Sequence, residues 1–442
     1  MSSPPHTGAS VTQPEAGSAS RVNIRKRQIA VGIGNFMEWF DFAIYGYFVA
    51  VIGAQFFPSG NPTTEMLSSF AVFAVGFVAR PLGALLLGPV GDRAGRKAVL
   101  VITVLGMGIT TALIGLTPSY AAIGVAAPVI IVILRCVQGM MVGGEWSTAA
   151  AYLGESAPPK KRGLHASLVT ATAGAAFLVG TLVATLINAV LPPEQVASWG
   201  WRIPFIASLL MAAVAVFIRQ KLEDTPVYEE LTRRREENQV QRVAGKVKAT
   251  AFVLTMAFSA LFGVSLYYFI TYANNHLSNV VGMPRVEALL ACGIALIVYV
   301  IANPLFGALS DHIGRRPVVL AAATGLTLFG IPVFLGMNTG SFPAVLISLT
   351  VLGLLVAMSA VMNVVLLVEV FPASIRSTGS ALGYNVAFAL LAGPGPLIAA
   401  GLMASTGNPV SPGFYLVGVS LASLIVLWAM LPETKSNDIS RG

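Results

Sequence analysis

The stretch GPVGDRAGRK, at Gly88–Lys97, returns in altered form as GALSDHIGRR at Gly307–Arg316, 219 positions later. A second stretch, ESAPPKKRG at Glu155–Gly163, has a counterpart 214 positions later in EVFPASIRS at Glu369–Ser377. All four stretches follow long apolar runs. Two similar offsets at corresponding places indicate that the chain consists of two related halves.

The composition excludes an ordinary soluble protein. Of the 442 residues, 55% are hydrophobic and only 10% are charged, and the mean hydropathy is +0.78. Soluble domains carry about 25% charged residues, and disordered chains combine many charges with few apolar residues. From about Gln28 the apolar runs are long enough to cross about 30 Å of hydrocarbon as helices. The twelve predicted spans are 29–57, 65–90, 98–117, 121–148, 163–191, 201–220, 247–272, 285–309, 317–337, 344–370, 378–405 and 413–431.

The basic residues predict how the chain is oriented. All but four of the 27 lysines and arginines lie in segments that share one side of the membrane if both chain ends lie there. Membrane proteins concentrate positive charge on the cytoplasmic side. The sequence therefore predicts a multi-pass protein of the cell inner (plasma) membrane with both termini cytoplasmic. The net charge of +8 belongs to these loops, and it does not indicate nucleic-acid binding.

The predicted fold class is all-α integral membrane, with twelve transmembrane helices in two pseudo-symmetric six-helix bundles. A long hydrophilic segment divides the spans into six and six. The predicted domains are a disordered cytoplasmic N-terminal tail (1–27), an N-terminal six-helix bundle (28–220), a cytoplasmic central loop (221–246), a C-terminal six-helix bundle (247–432) and a cytoplasmic C-terminal tail (433–442).

The stretch at Gly88–Lys97 and its second copy resemble the signature between helices 2 and 3 of the major facilitator superfamily. Further stretches resemble one of its branches, the metabolite:H⁺ symporter family, which includes proline/betaine, α-ketoglutarate, shikimate and citrate permeases. They are GNFMEWFDFAIYGY (Gly34–Tyr47), FVARPLGALLLGPVGDRAGRK (Phe77–Lys97), LRCVQGMMVGGEWSTAA (Leu134–Ala150), WGWRIPF (Trp199–Phe205) and LEDTPVYEEL (Leu222–Leu231). The resemblance extends over about residues 25–435.

The resemblance implies proton-coupled symport by alternating access, with uptake of a small organic acid or zwitterion such as proline, glycine betaine or a dicarboxylate. LPETK, at Leu431–Lys435, also occurs in sugar porters, but the motif that those proteins carry after helix 6 is absent. Two alternatives stay open. One is a proton-driven exporter of amphiphilic compounds, and the other is a solute receptor or osmosensor that does not transport.

Four ionisable residues fall near the middle of predicted spans in the first half: Glu38, Asp41, Arg80 and Arg135. Inserting such a group into a bilayer costs about 2.5–3.5 kcal/mol, so these residues are functional candidates. Glu38 and Asp41 are three positions apart, hence on one helix face, and one or the other is predicted to carry the coupling proton. Arg80 and Arg135 are predicted to bind a substrate carboxylate through their guanidinium forks. The alternative is a static ion-pair network that joins spans 1, 2 and 4.

The second half contains almost no ionisable residues within its spans and offers aromatic and amide groups instead. These are Tyr267, Tyr268, Tyr272, Tyr299, Asn303, Asn363, Tyr384 and Asn385. Tyr267, Tyr384 and Asn385 are predicted to contact the substrate, and aromatic faces are suited to a quaternary ammonium. The alternative is that these polar groups only join helices.

The repeated loop signature is predicted to act as a conformational latch between the two bundles. Asp92 sits where helices end, so its charge favours a neighbouring helix N-terminus. The predicted latch residues are Asp92, Arg93, Arg96, Asp311 and Arg315. The resemblance implies that the latch stabilises the outward-open state. The alternative is that the arginines only anchor the loops by the positive-inside rule.

Other chemistry is not indicated. The sequence has neither a P-loop nor zinc-ligand spacing, and Cys136 and Cys292 lie in apolar runs. We therefore expect no enzyme activity, no cofactor and no metal. The expected partners are a small-molecule substrate, protons and the lipid bilayer, without nucleic acid, and the chain is expected to be a monomer.

Overall fold

The structure is a computed structural model that describes residues 16–83, 86–87, 96–143, 157–219, 245–372 and 376–437. Within these ranges the regular secondary structure is helical. In the first half the helices are Ala16–Tyr47 with Val49–Phe56 (span 1), Pro62–Val78 continuing to Gly83 (span 2), Arg96–Leu116 (span 3), Tyr120–Ile123, Ala126–Val142 (span 4), Arg162–Val190 (span 5), Pro193–Gln195 with the π turn Val196–Gly200, and Arg202–Arg219 (span 6).

The second half repeats the pattern of six spans. Its helices are Gly245–Tyr267 with the π turn Tyr268–Tyr272 and Ala273–Asn279 (span 7), Arg285–Ile313 (span 8), Arg315–Met337 (span 9), Phe342–Glu369 (span 10), Arg376–Ala387 with the π turn Phe388–Ala392 and Gly395–Thr406 (span 11), and Ser411–Met430 (span 12).

Each of the twelve predicted spans corresponds to a helix or a bent helix pair. In the described chain, eight helices are long and apolar enough to cross a membrane, and two bent pairs raise the number to ten. The shorter apolar helices Val101–Leu116 and Ala126–Val142 occupy the two remaining predicted spans. The predicted all-helical fold class is confirmed.

The first span differs from its prediction in two ways. Its helix begins at Ala16, inside the tail 1–27 for which disorder is predicted. Pro14 is the last proline before the span, so no residue after it blocks helix extension toward the N-terminus. The span is also bent by 65° between Tyr47 and Val49. Residues 220–244, most of the predicted central loop, lie outside the described residues.

The two halves meet along several helix pairs. The most extensive contact runs between spans 5 and 8, and further contacts join span 1 to span 7 and span 2 to span 11. Spans 7 and 10 form the interior. Of the apolar stretch of each span, 72% is buried in span 7 and 78% in span 10, against 28% in span 12. Large apolar side chains on the outside, such as Leu210, Leu305 and Trp428, form the surface suited to lipid.

Spans 5 and 8 approach each other closely enough for their backbones to touch. The carbonyl oxygen of Gly163 occupies the place where Gly307 would carry a Cβ, and the carbonyl oxygen of Gly307 does the same for Gly163. Only glycine permits this approach. We call the face where both chain ends lie the terminal face, and the contact closes the two bundles there.

Candidate functional site

An ion pair lies at the centre of the interface between the two halves. Glu38 comes from span 1 and Arg80 from span 2, and Oε1 of Glu38 is 3.7 Å from Nη2 of Arg80, with both side chains completely buried. The Arg80 guanidinium carbon lies 4.4 Å from the ring centre of Phe77, 5.0 Å from Phe42 and 5.7 Å from Phe388. Since Phe388 belongs to span 11, the pair faces the second bundle.

The second bundle contributes two phenols to this centre. Tyr267 and Tyr384 both interact electrostatically with Arg80 and with Glu38. The Tyr384 ring lies 4.1 Å from Phe388, and the Tyr267 ring lies 5.1 Å from Phe77. Both phenols are next to π turns, which begin at Tyr268 and Phe388. Such turns interrupt regular helical spacing and occur often at functional sites.

Arg80 has hydrogen-bonding capacity that the described residues use only in part. Its Nε, Nη1 and Nη2 atoms are buried, and beyond Glu38 at 3.7 Å and looser contacts with the Tyr267 and Tyr384 phenols they have no close hydrogen-bond partner in the described part of the chain. Leaving a buried donor unbonded costs about 1–3 kcal/mol, and more for a charged group. A bidentate acceptor such as a carboxylate would satisfy the guanidinium.

Asp41 has a different environment from Glu38, although both are on span 1. Its Oδ2 accepts a hydrogen bond of 2.6 Å from Thr111 of span 3. Gln138 of span 4 donates to the Thr111 hydroxyl at 2.6 Å and accepts from Arg135 Nη1 at 2.5 Å. Asp41 and Arg135 are thus connected through two neutral side chains inside the first bundle.

Arg135 is also held by aromatic rings of the first bundle. Its guanidinium carbon lies 3.9 Å above the ring of Tyr45, and the Tyr45 hydroxyl donates to the carbonyl of Ser69 at 3.1 Å. Its Nε and Nη2 atoms have no hydrogen-bond partner among the described residues. Arg135 also interacts electrostatically with Arg80 and Tyr267. Of the two predicted substrate-binding arginines, however, Arg80 is the one whose guanidinium lies over a ring of span 11.

The other polar residues of the second half have structural surroundings of their own. Asn385 donates 2.6 Å to the carbonyl of Gly143, so it joins span 11 to the end of span 4 and does not face Arg80. Asn303 donates to the Tyr299 carbonyl at 2.7 Å, and Asn363 donates to Ser259 at 2.9 Å. The last two bonds link residues within one bundle, and the Asn385 bond crosses between the bundles without reaching Arg80. Tyr267 and Tyr384, by contrast, interact with the central pair.

Two of the predicted latch residues form a contact between the bundles. Asp311 accepts 2.9 Å hydrogen bonds from the backbone N–H groups of Gly163 and Leu164, at the start of span 5. Arg315 donates to Asp311 at 2.8 Å and pairs with Glu369 at 3.2 Å. Asp92 and Arg93 lie outside the described residues, as does the Arg96 side chain.

The segment after span 12 adds residues that the sequence did not single out as latch members. Glu433 accepts hydrogen bonds from the backbone N–H groups of Arg315 at 2.8 Å and Arg316 at 3.1 Å. Thr434 donates to Glu369 at 2.6 Å. Partial burial raises the pKa of Glu433, but the donated backbone bonds more than offset this, so the pKa lies below its ordinary value.

Both halves of the chain match known families of transporters. Residues 28–251 match the family described as Sugar (and other) transporter, and residues 253–441 match the Major Facilitator Superfamily. The chain is 33% identical over 412 residues to a putative proline/betaine transporter of Staphylococcus aureus (strain COL), covering 91% of this chain and 87% of the relative. The proline/betaine transporter of Escherichia coli (strain K12) is also 33% identical, with 91% and 82% covered.

This chain belongs to the major facilitator superfamily. The predicted resemblance is confirmed, and the protein is a multi-pass membrane transporter, not an enzyme. Solved structures show the same fold. A D-xylose-proton symporter has a TM-score of 0.74 at 18% identity, covering 94% of this chain and 99% of its own. The proton:xylose symporter XylE bound to 6-bromo-6-deoxy-D-glucose has a TM-score of 0.78 at 18% identity, with 95% and 98% covered.

The transporter is closed at both ends of its bundle interface. At the terminal face, Asp311 and the Gly163–Gly307 contact hold spans 5 and 8 together. At the opposite face, Asn275 of span 7 donates to the carbonyl of Gly46 in span 1 at 3.0 Å. The residues between these contacts, including Glu38 and Arg80, are buried. This arrangement is an occluded conformation.

Sequence reasoning missed the residues whose importance comes from a distant partner. Nothing in the sequence distinguishes Thr111, since threonines in apolar spans commonly form hydrogen bonds between helices. Phe42, Phe77 and Phe388 read as core residues, and only the structure shows their rings around one guanidinium. Gln138 had a usable signal, because it lies three positions from Arg135 on one helix face.

Proposed function

We propose that this transporter imports a small monocarboxylate zwitterion, of the proline or betaine kind, together with one proton across the bacterial inner membrane. The observation that carries the proposal is Arg80, a buried guanidinium that contacts Glu38 of the first bundle and Tyr267 and Tyr384 of the second, and whose donors form no close hydrogen bond in the described chain. We place both termini in the cytoplasm, which makes the terminal face the inner face.

Charge balance at this centre links the proton to the solute. Without solute, ionised Glu38 is the counter-ion of Arg80. A substrate carboxylate that binds the guanidinium takes over that role. Glu38 would then be a buried carboxylate without a counter-ion, which is costly in a low-dielectric interior unless it binds a proton. Binding of solute therefore favours binding of a proton, and neither is carried efficiently alone.

The aromatic rings around Arg80 support a zwitterion as the solute. A carboxylate on the guanidinium brings the rest of a small amino acid against Tyr267, Tyr384 and Phe388. An ammonium over such ring faces gains about 0.5–2 kcal/mol, most when it is desolvated.

The contacts of the two arginines favour a solute with one carboxylate over a solute with two. Arg135 is stacked on Tyr45 and bonded to Gln138 within the first bundle. A dicarboxylate is the second candidate, because Nε and Nη2 of Arg135 have no hydrogen-bond partner among the described residues. It would require Arg135 to turn toward Arg80.

Uptake by proteoliposomes tests the proposal. Purified transporter is reconstituted, and accumulation of labelled proline, glycine betaine, succinate and xylose is followed with and without an inside-alkaline pH gradient. We expect gradient-driven accumulation of proline or betaine that a protonophore abolishes. Accumulation of succinate alone would favour the dicarboxylate. Uptake that ignores the gradient would contradict symport. Uptake driven by an inside-acidic gradient alone would indicate a proton-driven exporter, because such a protein moves solute against the proton flow.

A further inference from the structure

The bend in span 1 leaves a helix end at the face opposite the termini. The first helix ends at Tyr47 and the chain resumes as a helix at Val49, turned by 65°. The last carbonyl groups of a helix receive no hydrogen bond from N–H groups of the same helix. Together they form the negative end of the helix dipole. Gly46 and Tyr47, the last two residues, therefore present carbonyl oxygens that need donors.

Both carbonyls receive their donors from the other bundle. Asn275, in the last turn of span 7, donates from Nδ2 to the Gly46 carbonyl at 3.0 Å. Arg285, the first residue of span 8, donates from Nη2 to the Tyr47 carbonyl. A cation at the C-terminal end of a helix is stabilising, and a hydrogen bond from a charged donor is stronger than a neutral one.

The fit around this contact is tight. A Cβ on Gly46 would lie 2.9 Å from Cγ2 and Oγ1 of Thr271, so the two helices approach each other here because residue 46 is glycine. Tyr47 is fixed in the first bundle, since its hydroxyl accepts a 2.6 Å bond from Thr181 of span 5. Each partner of the contact is thus anchored in its own bundle.

We propose that Arg285 and Asn275 form the closing contact of this face, and that the contact must break each time a solute enters from that side. They act as positioning residues, because they cap the helix that carries Glu38 and Asp41. Gly46 lies eight residues beyond Glu38, about 12 Å along the helix axis. Movement of the capped end therefore moves the helix that carries Glu38, one member of the central pair. The outward direction of this face rests on the proposed orientation.

The chain contains its own reporter for the state of this contact. Cys292 lies seven residues, about two helical turns, beyond Arg285 on span 8. It is 2% exposed and interacts electrostatically with both Arg285 and the Tyr47 phenol. Cys136, the other cysteine, is half-buried in span 4. A C136S variant leaves Cys292 as the single thiol, and its alkylation rate reports how often the contact opens.

Arg202 provides a matched control. It lies at the same face and donates at 2.7 Å to the carbonyls of Gly115 and Thr117, at the end of span 3. It therefore caps a helix end with the same chemistry, but both partners belong to the first bundle. Removing it disturbs one bundle without releasing one bundle from the other.

The experiment measures alkylation of Cys292 by a water-soluble maleimide in the full-length C136S transporter reconstituted in liposomes. We expect R285A to raise the rate about tenfold, as the loss of one charge-assisted hydrogen bond implies. N275A should raise it by a smaller factor, R285K should lie between the parent and R285A, and R202A should stay within about twofold of the parent.

Unchanged labelling in N275A and R285A, both shown to be folded by a cooperative thermal transition, would overturn the proposal. So would an equal rise in R202A, because that would indicate general loosening. If R285A does not fold, N275A and G46A decide the question, since the added methyl of G46A must also push the contact apart. The readout does not require transport, so a failure of the proposed symport leaves this result interpretable.

Discussion

Oε1 of Glu38 and Nη2 of Arg80 are 3.7 Å apart, and neither side chain is exposed. The separation is too long for a good hydrogen bond, so charge is the main attraction between these two atoms. A charged pair of this kind is costly to bury, and ionisable residues inside a membrane mark functional sites. In this transporter the pair is at the interface of the two bundles, where we propose that a solute carboxylate replaces Glu38.

Replacing Glu38 by Gln should separate proton coupling from solute movement. Gln has the shape of a protonated Glu, so Arg80 remains permanently available for substrate. We expect gradient-driven accumulation of proline or betaine to be lost, while exchange of labelled for unlabelled solute continues within about threefold of the wild-type rate. Both are measured in the same proteoliposomes.

Glu65→Gln is the control for this variant, because Glu65 accepts backbone hydrogen bonds from Ser59 and Gly60 in a loop at the far end of span 2. It should accumulate solute normally. Wild-type accumulation by Glu38→Gln would exclude Glu38 as the coupling residue and direct attention to Asp41.

Replacing Arg80 by Lys should weaken solute binding more than the same change at Arg135. An ammonium cannot form the bidentate contact with a carboxylate, and we expect a loss of about tenfold or more in apparent affinity. Arg135→Lys should cost affinity less than Arg80→Lys, since Gln138 and Tyr45 hold Arg135 inside the first bundle. Thermal-shift titration with proline and betaine measures both. The reverse order would favour Arg135 as the substrate-binding residue.

Removing the Thr111 hydroxyl should destabilise the first bundle. Thr111→Val breaks the connection from Asp41 to Gln138, and an unsatisfied buried polar group costs about 1–3 kcal/mol. Thr110→Val is the matched control, because the Thr110 hydroxyl donates only to the carbonyls of Gly106 and Met107 in its own helix. We expect a clearly lower Tm for Thr111→Val than for Thr110→Val. Equal melting temperatures would show that the connection contributes nothing.

Replacing Asp311 by Asn should loosen the terminal face. It weakens the charged cap on span 5, which is worth about 1–2 kcal/mol, so the open population should rise about five- to thirtyfold. A cysteine at Ser167, a buried position beside Gly307, reports the opening by its alkylation rate in a background without Cys136 and Cys292.

Glu433→Gln is the control for that latch variant, because Glu433 caps span 9 within the second bundle. Labelling at position 167 should change little. If Asp311→Asn labels no faster than the parent, Asp311 does not hold the two bundles together.

Glu433 itself should make stability depend on pH. Its pKa in the folded protein lies below the ordinary value of 4.5, because the backbone bonds from Arg315, Lys435 and Arg316 outweigh burial. A depressed pKa contributes stability above the unfolded value, and that contribution is lost as the pH falls through the folded value. The Tm difference between wild type and Glu433→Gln should therefore be present at pH 7 and shrink below about pH 4. A pH-independent difference would contradict the assignment.

The duplicated loop and the twelve apolar runs predicted the fold correctly because both are local properties of the chain. The number of consecutive apolar residues decides whether a helix is long enough to span a bilayer, and this number can be read directly from the sequence. The bend at Tyr47–Val49 and the π turns at Tyr268 and Phe388 were not predicted, since each depends on how a helix packs against helices from elsewhere in the chain.

Sequence alone determined the membrane fold, the family and four buried ionisable residues as candidates. Spacing placed Glu38 and Asp41 on one helix face, but only the tertiary structure assigned Glu38 to Arg80 at the bundle interface and Asp41 to Thr111 inside one bundle. The same holds for Arg285. In the sequence it is a charged residue at the end of a loop, and only the structure shows that its guanidinium donates to the Tyr47 carbonyl. The physical reason is that burial cost follows from residue type and hydrophobic context, whereas the partner that offsets it comes from a distant part of the chain.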